Sequence, residues 1–575
     1  MKKKTAAAVA AALAFTVTAS CVSAAGIYTV NDLRALSSYL LGTSDSGSAD
    51  LNGDGITDVF DMVSMRKSIA AESGIFSETV VTPDEKNVNW INRNMIKSNA
   101  LWLVQSGSAI EFTVTRSKAA SVIIKGDGSE RNGEDYRPRY AVIVNGEIIL
   151  DECLSESAKE ISLFSGDEPR DASVKIIHLS EANNGAVGVI GIRTVSDVAD
   201  PVAPAPEKDL HIEFVGDSIT CAYGVEGKDQ YEGFKTSTEN FMKSYAYLTA
   251  ERLNAEYSTV CYSGYGAVSS YSSDGSRKTD GLIGDQYGFV GSKSPYREAW
   301  DHSAHPVDVV VVNIGTNDNT YVGKDYEGRS PGFVDAYLDL LKTIYTAHPE
   351  AKIICTVGTM GCSEMYPYIE EAIEKLREYT GNKCSITSYL SVTQDMNRDG
   401  LGSDWHPSPA THEKSAAVLA DKICRVLGIE SDQTGLDLAA DANYEARILK
   451  GSGADGASYF SDYDRSFWIN VATGGTEAAD IQAVLSPIEI KKGGRYKLSF
   501  RATAPAGTEI PVILTDKSRL RTYYSGKLVS EGEKTPFEAE FTADESDSAA
   551  ELSFEVGGKD YTSVTIYETS LVKTG

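Results

Sequence analysis

The chain has 575 residues, 42% of them apolar and 24% charged, with a formal net charge of -28. At ~100–200 residues per domain, that length calls for several separate cores. The acidic balance excludes partners held through neutralised phosphate, namely nucleic acids and anionic membrane surfaces, and leaves a neutral polysaccharide or another protein.

Residues 1–25 have the form of a secretory signal peptide. Lys2, Lys3 and Lys4 precede an Ala-rich apolar run to Val17, and the small residues Val22-Ser23-Ala24-Ala25 follow. The run is shorter than the ~20 residues of a membrane span. No other long apolar segment occurs, so the expectation is a secreted, extracellular protein with no membrane partner. The eight cysteines are scattered and form no CxxC pair. An odd number left after loss of Cys21 predicts free buried thiols, with no disulfide framework and no zinc site.

Residues 26–72 form the first module. Amphipathic stretches open at Val30-Asn31-Asp32-Leu33 and again at Val59-Phe60-Asp61-Met62, which predicts a duplicated helical unit. Between them, Asp50, Asn52, Asp54, Asp58 and Asp61 occupy loop positions 1, 3, 5, 9 and 12, Gly55 falls at position 6, and the Ile56 carbonyl at position 7. That is the EF-hand spacing for Ca²⁺, with Asp in place of the final Glu. The stretch resembles a type I dockerin, a calcium module that joins cellulosomal enzymes to the cohesin domains of a scaffoldin. The resemblance implies a cohesin partner and structural calcium. The first repeat carries Cys21, Ser23 and Ala25 where acidic ligands belong, so one calcium site is expected. Val59 and Phe60 stand where dockerins meet cohesin; packing at the helix start is the alternative.

Residues 73–86 read as an acidic linker. In 87–200, the runs 109–115, 120–124, 140–144 and 174–178 are short and β-like, with Gly and Asn between them, which predicts a β-sandwich. A proline-containing linker over 197–209 leads to 208–428. There, apolar strands at 211–215, 257–260, 307–312, 352–357 and 385–387 alternate with helical patterns such as 333–348 and 369–379. This predicts a parallel sheet covered on both faces, with its ligand site at the carboxyl ends of the strands. Alternation returns in 437–575, where a second β-sandwich is expected.

The chemistry gathers at those carboxyl ends. Gly216-Asp217-Ser218 follows the first strand, and a helix beginning there offers its N–H groups and dipole to an oxyanion. Ser263-Gly264-Tyr265-Gly266 follows the second strand and Gly315-Thr316-Asn317-Asp318 the third. Asp404-Trp405-His406-Pro407 precedes the last, Ala-rich helix. In this order the four strings resemble the blocks of the SGNH (GDSL-like) hydrolases. GxSxG and HExxH are both absent. Acyl-transfer chemistry then assigns Ser218 as nucleophile, His406 as its base, and the Ser218 N–H, the Gly266 N–H and the Asn317 amide as oxyanion donors. Gly264 is left to relieve crowding in the turn. The other six histidines read as packing or surface residues. SGNH enzymes place an acid three residues before the His, which here is Ser403. Either the loop bends to use Asp404, or a backbone carbonyl holds the imidazole in a Ser-His dyad, the reading preferred.

Residues 87–428 resemble carbohydrate esterase family 2, through Trp90-Ile91-Asn92-Arg93, Leu101-Trp102-Leu103, Ile177-His178-Leu179-Ser180-Glu181, the GDS block and Asp404-Trp405-His406-Pro407-Ser408. The resemblance implies an N-terminal jelly-roll joined to a flavodoxin-like three-layer αβα SGNH domain. It also implies removal of acetyl groups from plant polysaccharides, with no catalytic cofactor. Trp405 takes the place of the family's aromatic beside the His and suits a sugar ring; local packing is the alternative. More loosely, 437–575 resembles the β-sandwich carbohydrate-binding modules, with Tyr459, Trp468, Tyr523 and Tyr524 as candidate sugar contacts. The expected function is a cellulosomal acetylesterase acting on xylan or glucomannan. Another O-acetyl esterase or lipase, or a non-catalytic scaffold, are the alternatives.

Overall fold

The computed structural model describes residues 28–41, 50–51, 56–72, 75–440, 442–461 and 466–575. Thr29 caps the first helix, Val30–Leu40, in a capping box: its Oγ accepts the Asp32 N–H and the Asp32 carboxylate accepts the Thr29 N–H. A second helix spans Val59–Glu72. Leu36 and Met65 are buried in these two helices. Of the proposed calcium donors, Asn52 and Asp54 lie outside the described residues. Asp61 is buried and accepts the N–H groups of Leu51 at 2.6 Å and Asp58 at 2.7 Å, tying both ends of the loop to the helix. The Asp58 carboxylate accepts the Phe60 N–H at 2.7 Å, and Ile56, Val59 and Phe60 are exposed.

The next unit is antiparallel β-structure, whose ten strands form one hydrogen-bonded sheet. The two runs expected as separate strands at 109–115 and 120–124 are one long strand, Ala109–Gly126. It breaks register between Val114 and Ser117, where Arg116 takes a left-handed φ of 44°. Such a bulge bends a strand from one layer into the next without ending it. Both neighbouring linkers are shorter than expected. Ser77–Val81 pairs with 192–196, and Val202–Pro204 pairs with 112–114. An edge strand needs only one half-buried face, so its apolar signal is weak.

Residues Leu210–Gly216, Ala255–Cys261, Val309–Asn313, Lys352–Val357 and Ile386–Leu390 form a five-stranded parallel sheet, with the second strand at one edge followed by the first, third, fourth and fifth. Val309 to Val312 are all fully buried, as a sheet covered on both faces requires. Helices Tyr326–Ala347 and Tyr366–Thr380 pack with one face of the sheet. Tyr245–Arg252 and Pro409–Leu427 pack with the other, where Ile91, Ala109, Ala141, Ile177 and Leu179 of the N-terminal β unit join the same core. The two units also share a fully buried ion pair, Arg93 to Glu213, at 2.8 Å.

The last unit stacks two five-stranded antiparallel sheets around Leu498, Ile510, Leu552 and Phe554. All seven described cysteines are free thiols, and only Cys153 is not buried. Among the described residues no helix is long and apolar enough to cross a membrane.

Candidate active site

The strand Leu210–Gly216 delivers its chain into a one-turn helix, Ser218–Cys221. The turn is tight enough that a Cβ on Gly216 would overlap the Thr220 hydroxyl. Asp217 is the N-cap: its Oδ1 accepts the Ile219 N–H at 3.0 Å, and its carbonyl accepts those of Thr220 and Cys221 at 3.0 and 3.1 Å. Asp217 thus takes up three N–H groups of this turn and leaves that of Ser218, at the positive end of the turn, for an oxyanion.

Ser218 Oγ lies 2.8 Å from His406 Nε2. On the other side of the ring, Nδ1 faces the carbonyls of Asp404 at 3.1 Å and Ser403 at 3.3 Å. Carbonyls only accept, so Nδ1 carries the proton and Nε2 accepts from the serine, the tautomer a general base needs. Burial pushes the His406 pKa down to about 4, against the pull of the two carbonyls and the Asp404 charge, so the ring is neutral at neutral pH.

The carbonyls reach Nδ1 because Asp404 and Trp405 both adopt left-handed backbone, with φ of 49° and 66°. The surrounding contacts hold that strained turn. Ser403 donates to the Gly224 carbonyl at 2.9 Å, Gly402 donates to the His406 carbonyl at 2.9 Å, and Gln394 donates to the Trp405 carbonyl at 3.0 Å. A Cβ on Gly224 would stand 2.5 Å from that of Ser403, so a glycine lets the loop close on the catalytic helix.

The Asp404 carboxylate does not orient His406. It accepts the Tyr223 hydroxyl at 2.8 Å, because the left-handed turn sends the main-chain oxygen, not the side chain, to the imidazole. The Tyr223 ring lies against His406 at 4.2 Å and is backed by Phe234 at 4.7 Å. No motif marks Tyr223; only its nearness to Ser218 in sequence gives it away.

The oxyanion set divides. Asn317 Nδ2 donates to the Tyr265 carbonyl at 2.8 Å and reaches Asp217 Oδ2 at 3.3 Å, which brings the amide beside the nucleophile. The expected Gly266 donor is otherwise occupied: its N–H donates to the Gly281 carbonyl at 3.2 Å. Gly266 is needed for space, since a Cβ there would overlap the Ser269 carbonyl and crowd Asp318 at 2.7 Å. Gly264 supplies the left-handed turn, with φ of 82°. Asp318 accepts the N–H groups of Ala267, Val268 and Ser269 and so braces this loop. Burial pushes Asp318 up to about 6 and Asp217 up to about 7.

Trp405 is 48% exposed and meets Tyr231 edge-on at 5.8 Å, so it is a rim residue and not a packed one. In the last unit, Tyr459 and Trp468 are direct cross-strand partners, 65% and 47% exposed. Tyr523 and Tyr524 instead pack partly against that unit's core. Two groups among the described residues have the chemistry of metal ligands: Glu213 and His348 with the half-buried His302, and the buried Glu181, Cys221 and Glu239.

Residues 214–414 match the GDSL-like lipase/acylhydrolase family, and 450–563 match a carbohydrate binding domain. The chain is 31% identical over 364 residues to the cellulase/esterase CelE of Acetivibrio thermocellus, covering 61% of this chain and 41% of that protein. It is 25% identical over 286 residues to an acetylxylan esterase/glucomannan deacetylase of Cellvibrio japonicus, covering 48% of this chain and 72% of that one. The chain therefore spans less than half the length of the first relative. A solved family two carbohydrate esterase from Clostridium thermocellum, in complex with cellohexaose, is 30% identical with a TM-score of 0.51, covering 59% of this chain and 99% of that structure.

Proposed function

We propose, from the match of residues 214–414 to the GDSL-like lipase/acylhydrolase family, that this chain is an acetylesterase removing O-acetyl groups from plant cell-wall polysaccharides such as xylan and glucomannan. The observation that carries the reading is the Ser218–His406 contact of 2.8 Å, with Nδ1 of the same ring on two main-chain carbonyls. The substrate class is supported by the names of the relatives and by the match to a carbohydrate binding domain.

Ser218 Oγ attacks the acetyl carbonyl as its proton passes to His406 Nε2. The Ser218 N–H stabilises the oxyanion, joined by the Asn317 amide as it gives up its longer bond of 3.3 Å to Asp217, and the Asp404 and Ser403 carbonyls stabilise the imidazolium. When the tetrahedral adduct collapses, the carbon–oxygen bond to the sugar breaks and Nε2–H protonates the departing sugar oxygen. Water then attacks the acetyl-enzyme, gives its proton to His406, and acetate leaves as Ser218 is regenerated. No step calls for a cofactor. Export through residues 1–25 would place the enzyme outside the cell. A dockerin-like role for 26–72, with calcium at Asp50, Asn52, Asp54, Ile56, Asp58 and Asp61 and a cohesin partner, rests on the loop spacing.

Acetate release from acetylated xylan and glucomannan tests the reading, with wild type set against Ser218→Ala and His406→Ala. Release by wild type and loss in both variants is the expected result. Hydrolysis of an aryl acetate alone would keep the esterase and remove the polysaccharide. Unchanged turnover by Ser218→Ala would remove the site.

A further inference from the structure

One buried carboxyl carries the N-terminal β unit into the esterase site. Glu181 follows the long strand Ala158–His178 and is almost wholly buried. Its Oε2 accepts the Ser263 N–H at 2.9 Å. Ser263 opens the loop whose Tyr265 carbonyl receives the Asn317 amide at 2.8 Å. A chain of contacts therefore runs from Glu181 through Ser263 and Tyr265 to Asn317, the proposed oxyanion donor.

A second carboxyl stands behind the first. Glu239 is fully buried and accepts the Glu181 N–H through Oε2 at 3.1 Å, while its Oε1 has no partner among the described residues. Ligand-type atoms of Glu181, Glu239 and Cys221 all lie within 4.8 Å of one another, and Cys221 ends the helix that Ser218 begins. Two bare carboxylates this close in a buried site repel strongly, and a proton on one of them removes the repulsion. Arg139 reaches only the Glu239 main-chain carbonyl, at 3.3 Å. Lys293, Tyr223, Tyr265 and Cys261 are the other titratable groups around the pair. Burial pushes both carboxyls upward, and the Glu181 charge pushes Glu239 further.

We propose that Glu181 is a positioning residue supplied by the β unit, which holds the oxyanion loop through the Ser263 N–H. The role rests on the esterase reading above, but the loop contact can be tested without it. In Glu181→Ala, kcat for an aryl acetate falls about tenfold or more with KM nearly unchanged, because the oxyanion exists only in the transition state. Glu181→Gln stays within about threefold of wild type, since its amide oxygen still accepts from Ser263. Amide hydrogen exchange across 263–266 quickens in Glu181→Ala and not in Glu181→Gln. Glu239→Gln, which removes the neighbouring charge and leaves the Ser263 contact in place, keeps both activity and slow exchange. Unchanged kcat and exchange in Glu181→Ala, or equal losses in Glu181→Gln, overturn the role. Should Glu181→Ala fail to fold, a loss of more than about tenfold in Glu181→Gln overturns the role. If wild type hydrolyses no ester, the esterase reading falls and exchange alone decides the positioning role.

Discussion

Asp404 meets His406 with its main-chain oxygen, 3.1 Å from Nδ1, and turns its carboxylate away to the Tyr223 hydroxyl at 2.8 Å. The acid nearest the catalytic histidine in sequence is thus one step removed from it in chemistry. Asp404→Asn keeps the main chain, tolerates the left-handed φ, and still accepts from Tyr223. It should change kcat by less than about tenfold, whereas loss of a true triad acid costs about 10⁴. Steady-state kinetics on an aryl acetate decide the matter. A loss of a thousandfold would restore Asp404 as the orienting acid.

The depressed pKa of His406 sets the acid limb of the rate profile. The base acts only in its neutral form, which dominates above the pKa. With burial holding that pKa at about 4 and not at the ordinary 6.5, kcat/KM should fall through pH 4 and be flat from about pH 5 to neutrality. The measurement is kcat/KM for an uncharged aryl acetate across that range, each point checked for recovery of activity at neutral pH. A midpoint near 6.5 would mean that the imidazole is solvated.

Tyr459 and Trp468 should act on polymer and not on chemistry. They are cross-strand partners presenting flat apolar faces to solvent, well suited to the C–H face of a pyranose. Changing both to Ala should weaken retention of the protein in a gel containing polysaccharide while leaving aryl acetate kinetics unchanged. Trp405→Ala should instead raise KM for the polymer, since that exposed ring belongs to the residue next to His406. Equal retention of the double variant would move the sugar contact elsewhere in the unit.

What the sequence discloses here follows the range of the interactions. The GDS, GTND and DWHP strings are legible because an acyl-transfer site needs short local runs at strand ends. The strands of the parallel sheet are legible because burial on both faces leaves unbroken apolar runs. The choice between dyad and triad is not legible, because it depends on two φ values. Nor is the direction of the Gly266 N–H, which depends on the distant Gly281 carbonyl. Glu181 and Tyr223 act on partners 82 and 181 positions away, and no spacing rule reaches that far. The edge strand Ser77–Val81 is missed because half of its surface faces water.

The buried Arg93–Glu213 pair makes a last prediction about how the units are joined. Arg93 donates to the Tyr287 and Phe289 carbonyls at 2.6 and 2.8 Å as well as to Glu213, so its guanidinium fork spans three acceptors. Burial pushes the Glu213 carboxyl up, and the guanidinium together with the Tyr287 hydroxyl holds it below the usual range. Arg93→Ala leaves that charge buried without its cation, which should cost about 3–5 kcal/mol. Arg93→Lys keeps the charge but lacks the fork, and should recover only part of the loss. Urea unfolding followed at the tryptophans measures both. Because Arg93 belongs to the β unit and Glu213 to the first strand of the parallel sheet, the destabilised variant should also lose esterase activity at the midpoint where the β unit unfolds. An Arg93→Ala protein that keeps wild-type stability would show that the other contacts between the two units hold them together without this ion pair.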